Sequence, residues 1–141
     1  MWSGANIKMA MVAGLLSTCN WAMAQTDTRT ACDFDDIKDF VEWFKGSEAN
    51  QKSATADPLD AGFDEYDEKG KKLPIEYEPH AHDELGWPIL PFLGKDFRET
   101  FIEHDKDTVE YNTAGGMLYN HTYLFKREPC WKLVKFTHDR L

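Results

Sequence analysis

The residues best suited to chemistry lie in His80-Ala81-His82-Asp83-Glu84. In an extended segment alternate side chains point the same way, so His80, His82 and Glu84 would share one side. Two imidazoles and a carboxylate are good ligands for zinc or a similar ion, and His104 or His121 could complete the set. The competing reading is a solvated acidic loop after Pro79, and the HExxH pattern of zinc hydrolases is absent. A second possibility is acid–base work by His121, which alternates with Tyr119, Tyr123 and Phe125 and could be reached by Asp83 or Asp105. A histidine on an aromatic face can act as a general base, or it can be a hydrogen-bonded part of the wall. There is no G-x-S-x-G and no CxxC, and no cofactor-binding motif is read.

Two further segments suit recognition better than catalysis. Residues 57–68 are rich in acids, with Asp64, Glu65 and Asp67 at their centre, and could steer a basic partner. Residues 86–93 are apolar but broken by Pro88 and Pro91, which excludes a regular central strand or helix. That segment either packs over the core or presents Trp87 and Phe92 to a partner.

These groups need elements to hold them. Asp33 opens a helix predicted over residues 33–46, with acids in its first turn and Phe34, Ile37, Phe40, Val41 and Phe44 on one face. Gly46 is a natural stop. Residues 51–59 read as a short extended segment. Residues 60–72 read as a charged turn around Gly70, and 73–77 as a strand ended by Pro79. From residue 99 the pattern is β, with strands expected at 99–103, 107–113, 117–126 and 130–138. In the last of these Trp131, Leu133 and Lys135 would share one face, and Lys132, Val134 and Phe136 the other. A helix followed by an antiparallel run implies an α+β domain, with an N-terminal amphipathic helix packed on a curved antiparallel, cone-like sheet.

The first residues have a different purpose. Lys8 is the only charged residue before Asp27; residues 9–16 are apolar, and Ala22-Met23-Ala24 is a small-x-small site. This is the pattern of a secretory signal peptide over residues 1–24, followed by one mature domain over 25–141. The apolar run is shorter than the roughly 20 residues a membrane span requires. The competing reading is a lipoprotein signal ending at a lipidated Cys19. The mature chain keeps 15 basic and 25 acidic residues, a formal charge of −10. Such a chain repels phosphate backbones, which argues against nucleic acid as a partner. Cys32 and Cys130 are the only cysteines left after cleavage, an even pair that suits a disulfide in an oxidising compartment.

The helix, Gln51, Pro58-Leu59, Trp87 and the closing hairpin Tyr123-Leu124-Phe125-Lys126 and Trp131-Lys132-Leu133-Val134 resemble an uncharacterised bacterial exported-domain family. In that family a Phe-rich helix precedes a Phe-Gln-x-x-Arg-Ile-x-Phe-Pro-Leu segment and the chain closes on a Trp-x-Leu strand. It is similar to the nuclear transport factor 2-like, or cystatin-like, α+β cone. The resemblance covers most of residues 33–138 and implies a fold and an exported life, but no activity.

These readings favour a small exported, periplasmic or extracellular, non-catalytic binding domain that holds a protein partner, as an inhibitor or immunity-type protein would. The alternatives are a pocket enzyme or small-ligand binder of the cone type, and a metal-binding protein through His80 and His82. A filled interior with an exposed acidic and aromatic patch would favour partner binding; a pocket joining His121 to a carboxylate would favour chemistry. N-terminal sequencing of the mature protein should begin at Gln25; a chain beginning at a lipidated Cys19 would overturn the cleavage site.

Overall fold

A computed structural model describes residues 27–91, 96–115 and 119–140, apart from the side chains of Tyr119 and Arg140. The proposed signal peptide, Cys19 and Phe92 lie outside the described residues.

A 3-10 turn, Ala31–Asp33, comes first. There the Asp33 carboxylate accepts the Thr30 backbone N–H, so Asp33 closes a turn and does not open the helix. The first helix, α1 (Ile37–Lys45), begins later than expected because Asp36 takes the capping position and accepts from the N–H groups of Lys38 and Asp39. A second short helix, α2 (Glu48–Ser53), occupies the first residues of the segment expected to be extended. Ser47 caps it through the Asn50 N–H. Six strands follow: β1 (Thr55–Phe63), β2 (Tyr77–His80), β3 (Arg98–Asp105), β4 (Thr108–Gly115), β5 (Tyr119–Arg127) and β6 (Trp131–Arg140). The four C-terminal strands fall close to their expected positions. The strand expected at 73–77 is displaced: residues 73–76 belong to no strand, and β2 begins at Tyr77 and includes Pro79, which an edge strand tolerates.

The strands form one sheet in the order β2-β1-β6-β5-β4-β3. This corrects the expected fold class: the architecture is a six-strand mixed sheet with two short helices, not a helix on an antiparallel cone. The overturning finding is β1, which runs parallel to β6, with Asp60 opposite Lys135 and Phe63 opposite His138. That pairing joins segments about seventy-five residues apart in sequence. It leaves no local turn signal, whereas each antiparallel hairpin does.

The expected alternation of β6 also needs correction. Phe125 pairs with Leu133, but Leu124 pairs with Lys135, so Val134 is an extra residue in a β-bulge. One extra residue reverses every side chain beyond it. Trp131 and Leu133 face the core as expected. Past the bulge Phe136 is buried instead of Lys135, and His138 joins its side.

The core lies between α1 and one face of the sheet. Phe40 and Phe44 each set a ring edge against Phe125 at 5.3 Å, and Phe40 lies 6.2 Å from Trp131. Gln51 is buried and grips the 86–91 segment from below. Its Nε2 donates to the Leu90 carbonyl and its Oε1 accepts the Leu90 N–H, both at 2.9 Å. The amide thus does for Leu90 what a neighbouring strand would, and Ile89 and Leu90 close the core. The Cys32–Cys130 disulfide fastens the first turn to the start of β6 across 98 residues of sequence.

Trp131 is 2% exposed, and emptying a core site of that size costs about 3–5 kcal/mol. Trp131→Ala should therefore lower the midpoint of urea unfolding far more than His80→Ala; equal midpoints would mean that the packing of this face is misread.

Candidate functional site

The structure separates the two histidines of the His80-to-Glu84 segment. His80 ends β2 and His82 begins a 3-10 turn, His82–Glu84, so extended alternation stops between them. His82 Nε2 lies 3.1 Å from the carbonyls of both Thr55 and Ala56. Carbonyls only accept, so this nitrogen carries the proton and is occupied at the start of β1. His80 instead packs its ring on Phe63 at 5.9 Å, with Nδ1 3.8 Å from Glu84. Among the described residues no group of three or more His, Cys, Asp or Glu is placed to hold a metal ion.

His121 meets a second histidine and not a carboxylate. Its Nε2 lies 2.7 Å from His138 Nδ1, across the β5–β6 pair. Its ring stacks on Phe136 with 5.8 Å between centroids. Burial, and then the neighbouring His138, hold the His121 imidazole below its ordinary range. Asp105 ends β3, opposite Thr108 at the start of β4, whereas His121 lies opposite Thr113, farther along β4. Asp83 is exposed in its turn. The phenols of Tyr111 and Tyr123 are pushed up, chiefly by burial, and remain donors, to Glu99 and to the Ile89 carbonyl respectively.

The acidic residues form a compact arm between β1 and β2. Asp67 uses its carboxylate to accept the N–H groups of Lys69 and Lys71, while Gly70 takes a left-handed φ of 77° at the tip. Leu73 N–H donates to Glu65 O, and Tyr66 bridges to Lys72. The root is held by the Asp64 N–H on the His138 carbonyl and by an ion pair between Lys72 and Asp139. The returning chain lies flat on β1 because position 62 is glycine: a Cβ there would stand 2.5 Å from Ile75 and 2.9 Å from Tyr77.

Of the five large exposed hydrophobic residues among those described, four belong to this arm or its ends: Phe63 (45% exposed), Tyr66 (43%), Leu73 (38%) and Tyr77 (42%). Residues 60–78 also carry seven acids against three lysines. The sequence marked Asp64, Glu65 and Asp67 but missed the exposed aromatics. The alternation of Leu73, Ile75 and Tyr77, read there as a strand, was the available signal. Trp87 is placed differently from the expected anchor. Its indole N–H donates to the His82 carbonyl at 2.8 Å, and its ring meets the edge of the His82 ring, half-buried against the core.

A groove of about 950 Å³ runs beside α1, with Asp33, Asp36, Asp39 and Glu42 among its walls. Asp33 and Asp36 are engaged as caps and Glu42 pairs with Lys45. A smaller groove of about 320 Å³ crosses the sheet face remote from α1, where Lys135 lies 3.7 Å from the Tyr77 ring centre.

The two histidines should therefore differ in stability and not in affinity for metal. His82→Ala leaves two carbonyls without their donor and should cost about 1–3 kcal/mol in chemical unfolding. His80→Ala should cost less, and the reverse order would overturn the structural role of His82.

No protein-family model, no curated protein and no solved structure matches this chain.

Proposed function

We propose that the mature chain is an exported, non-catalytic binding domain that holds a basic protein partner through the β1–β2 arm. The observation that carries this reading is the coincidence, on one arm, of exposed Phe63, Tyr66, Leu73 and Tyr77 with Glu65 and its neighbouring acids. Apolar and aromatic side chains supply contact area that remains once water is excluded. Carboxylates around them raise the encounter rate with a positively charged surface and disfavour acidic competitors. The interior is filled by the α1 face and the sheet, which supports binding at the surface over chemistry in a pocket. The disulfide is compatible with export. Among the described residues no helix is long and apolar enough to cross a membrane.

The anchor is thus assigned to Tyr66 and Leu73, and Trp87 supports the core. Capture from the native exported-protein fraction should retain a basic partner on the wild-type mature domain and release it at high salt. Glu65→Lys with Leu73→Ala changes exposed side chains and should leave stability within about 1 kcal/mol. Together they should weaken capture by at least about ten-fold. Equal capture by the double variant, or no saturable partner, would overturn this reading.

A further inference from the structure

Thr113, His121, His138 and Phe63 follow one another across β4, β5, β6 and β1 in register, on the side that faces α1. The 2.7 Å separation of His121 Nε2 and His138 Nδ1 accommodates one proton, with one ring donating and the other accepting. His138 also anchors the arm. Its carbonyl accepts the Asp64 N–H at 3.1 Å, and its ring lies 6.4 Å from Phe63, whose ring in turn meets His80. The residue that shares the proton is therefore the residue to which the arm is tied.

We propose that the His121–His138 pair is an acid-sensitive latch for the β1–β2 arm. With one proton between them, the rings hold the ends of β5 and β6 together, and the arm root stays hydrogen-bonded to β6. The first proton added to the neutral pair leaves the N–H···N bond in place, now charge-assisted; the second makes both rings cations and sets two N–H groups head to head. The rings must then part, and the root of the arm loosens with His138. Glu99, beyond Thr113 on β3, accepts from the Tyr111 hydroxyl and lies 3.6 Å from Lys45. Tyr123 is a buried phenol, Phe63 and Phe136 are apolar, and His80 adds a third titratable ring, beside Glu84. Asp139, opposite Asn120 on the other face, pairs with Lys72.

The lowered His121 imidazole agrees in sign. A histidine held below its ordinary value binds its proton more weakly folded than unfolded. Its contribution is complete above a pH of about 6.5 and is lost as the pH falls through the lowered value. The latch predicts that this loss is felt first at the arm.

The regulatory consequence rests on the arm being the binding surface, but the latch can be measured without a partner. Amide hydrogen exchange of the mature protein, corrected for the intrinsic pH dependence, should be followed by NMR from pH 7.5 to 5.0. Protection of the Asp64 amide should fall by at least about ten-fold, while that of Tyr111, inside the sheet, holds. In His121→Phe the fall should shrink to less than about two-fold, and His138→Gln should do the same should the first variant not fold. His104→Gln, at the opposite edge of the sheet, should behave as wild type. Unchanged Asp64 protection in the wild type, or an equal fall in both pair variants, would overturn the latch. Partner capture at pH 7.5 and release at pH 5.0 would support its regulatory role, and equal capture at both would overturn that role. If Asp64 responds as expected and no partner is captured at any pH, the latch stands and the binding function fails.

Discussion

The β-bulge at Val134 governs the arrangement of both faces of the sheet. β6 lies in the middle, parallel to β1 on one side and antiparallel to β5 on the other. Before the bulge it sends Trp131 and Leu133 into the core beneath α1. After it, Phe136 and His138 face the same way as Trp131, and Lys135 and Thr137 face the other. Without the extra residue the second half of the strand would bury a lysine and expose a phenylalanine, and His138 could not meet His121. The corresponding irregularity in β1, between Thr55 and Asp60, lets that strand follow β6 past the bulge.

Around this strand the domain divides its tasks. At one end, α1, Trp131 and the disulfide make an apolar, cross-linked anchor. At the middle, the Gln51 amide satisfies both backbone groups of Leu90 and holds an otherwise irregular, proline-rich segment against the sheet. The other end is polar: the histidine pair lies under the root of the acidic arm. Apolar packing has no directional chemistry to titrate, whereas a proton shared between imidazoles does. The exposed residues of the arm and the histidine pair therefore lie at the same end of β6.

The arm is local structure placed by a long-range constraint. Asp67 and Gly70 shape its tip using only nearby backbone groups. Its position depends on distant ones: the His138 carbonyl, the Asp139 carboxylate and the missing Cβ of Gly62. A self-contained tip on a fixed root can present exposed aromatics without collapsing them onto the core. That accounts for the exposure of Tyr66 and Leu73 beside a filled interior.

The amino-acid sequence by itself determined what depends on near neighbours. The apolar face of α1, the hairpins of the last four strands, the Asp67–Gly70 turn, and the burial of Trp131 and Leu133 follow from periodicity, caps and turn residues a few positions apart. The pairing of Cys32 with Cys130 was legible because only two cysteines remain after the expected cleavage. Tertiary structure decided the rest. The parallel β1–β6 pairing joins segments about seventy-five residues apart in sequence and carries no turn signal. The bulge reverses an alternation that was otherwise regular. His82 was committed to the carbonyls of β1, and His121 to His138, by strand neighbours that spacing along the chain does not reveal. Residue type shows which chemistry a side chain can perform. Only the register of the sheet determines which partner stands opposite it, because that register is set by contacts between segments the sequence holds far apart.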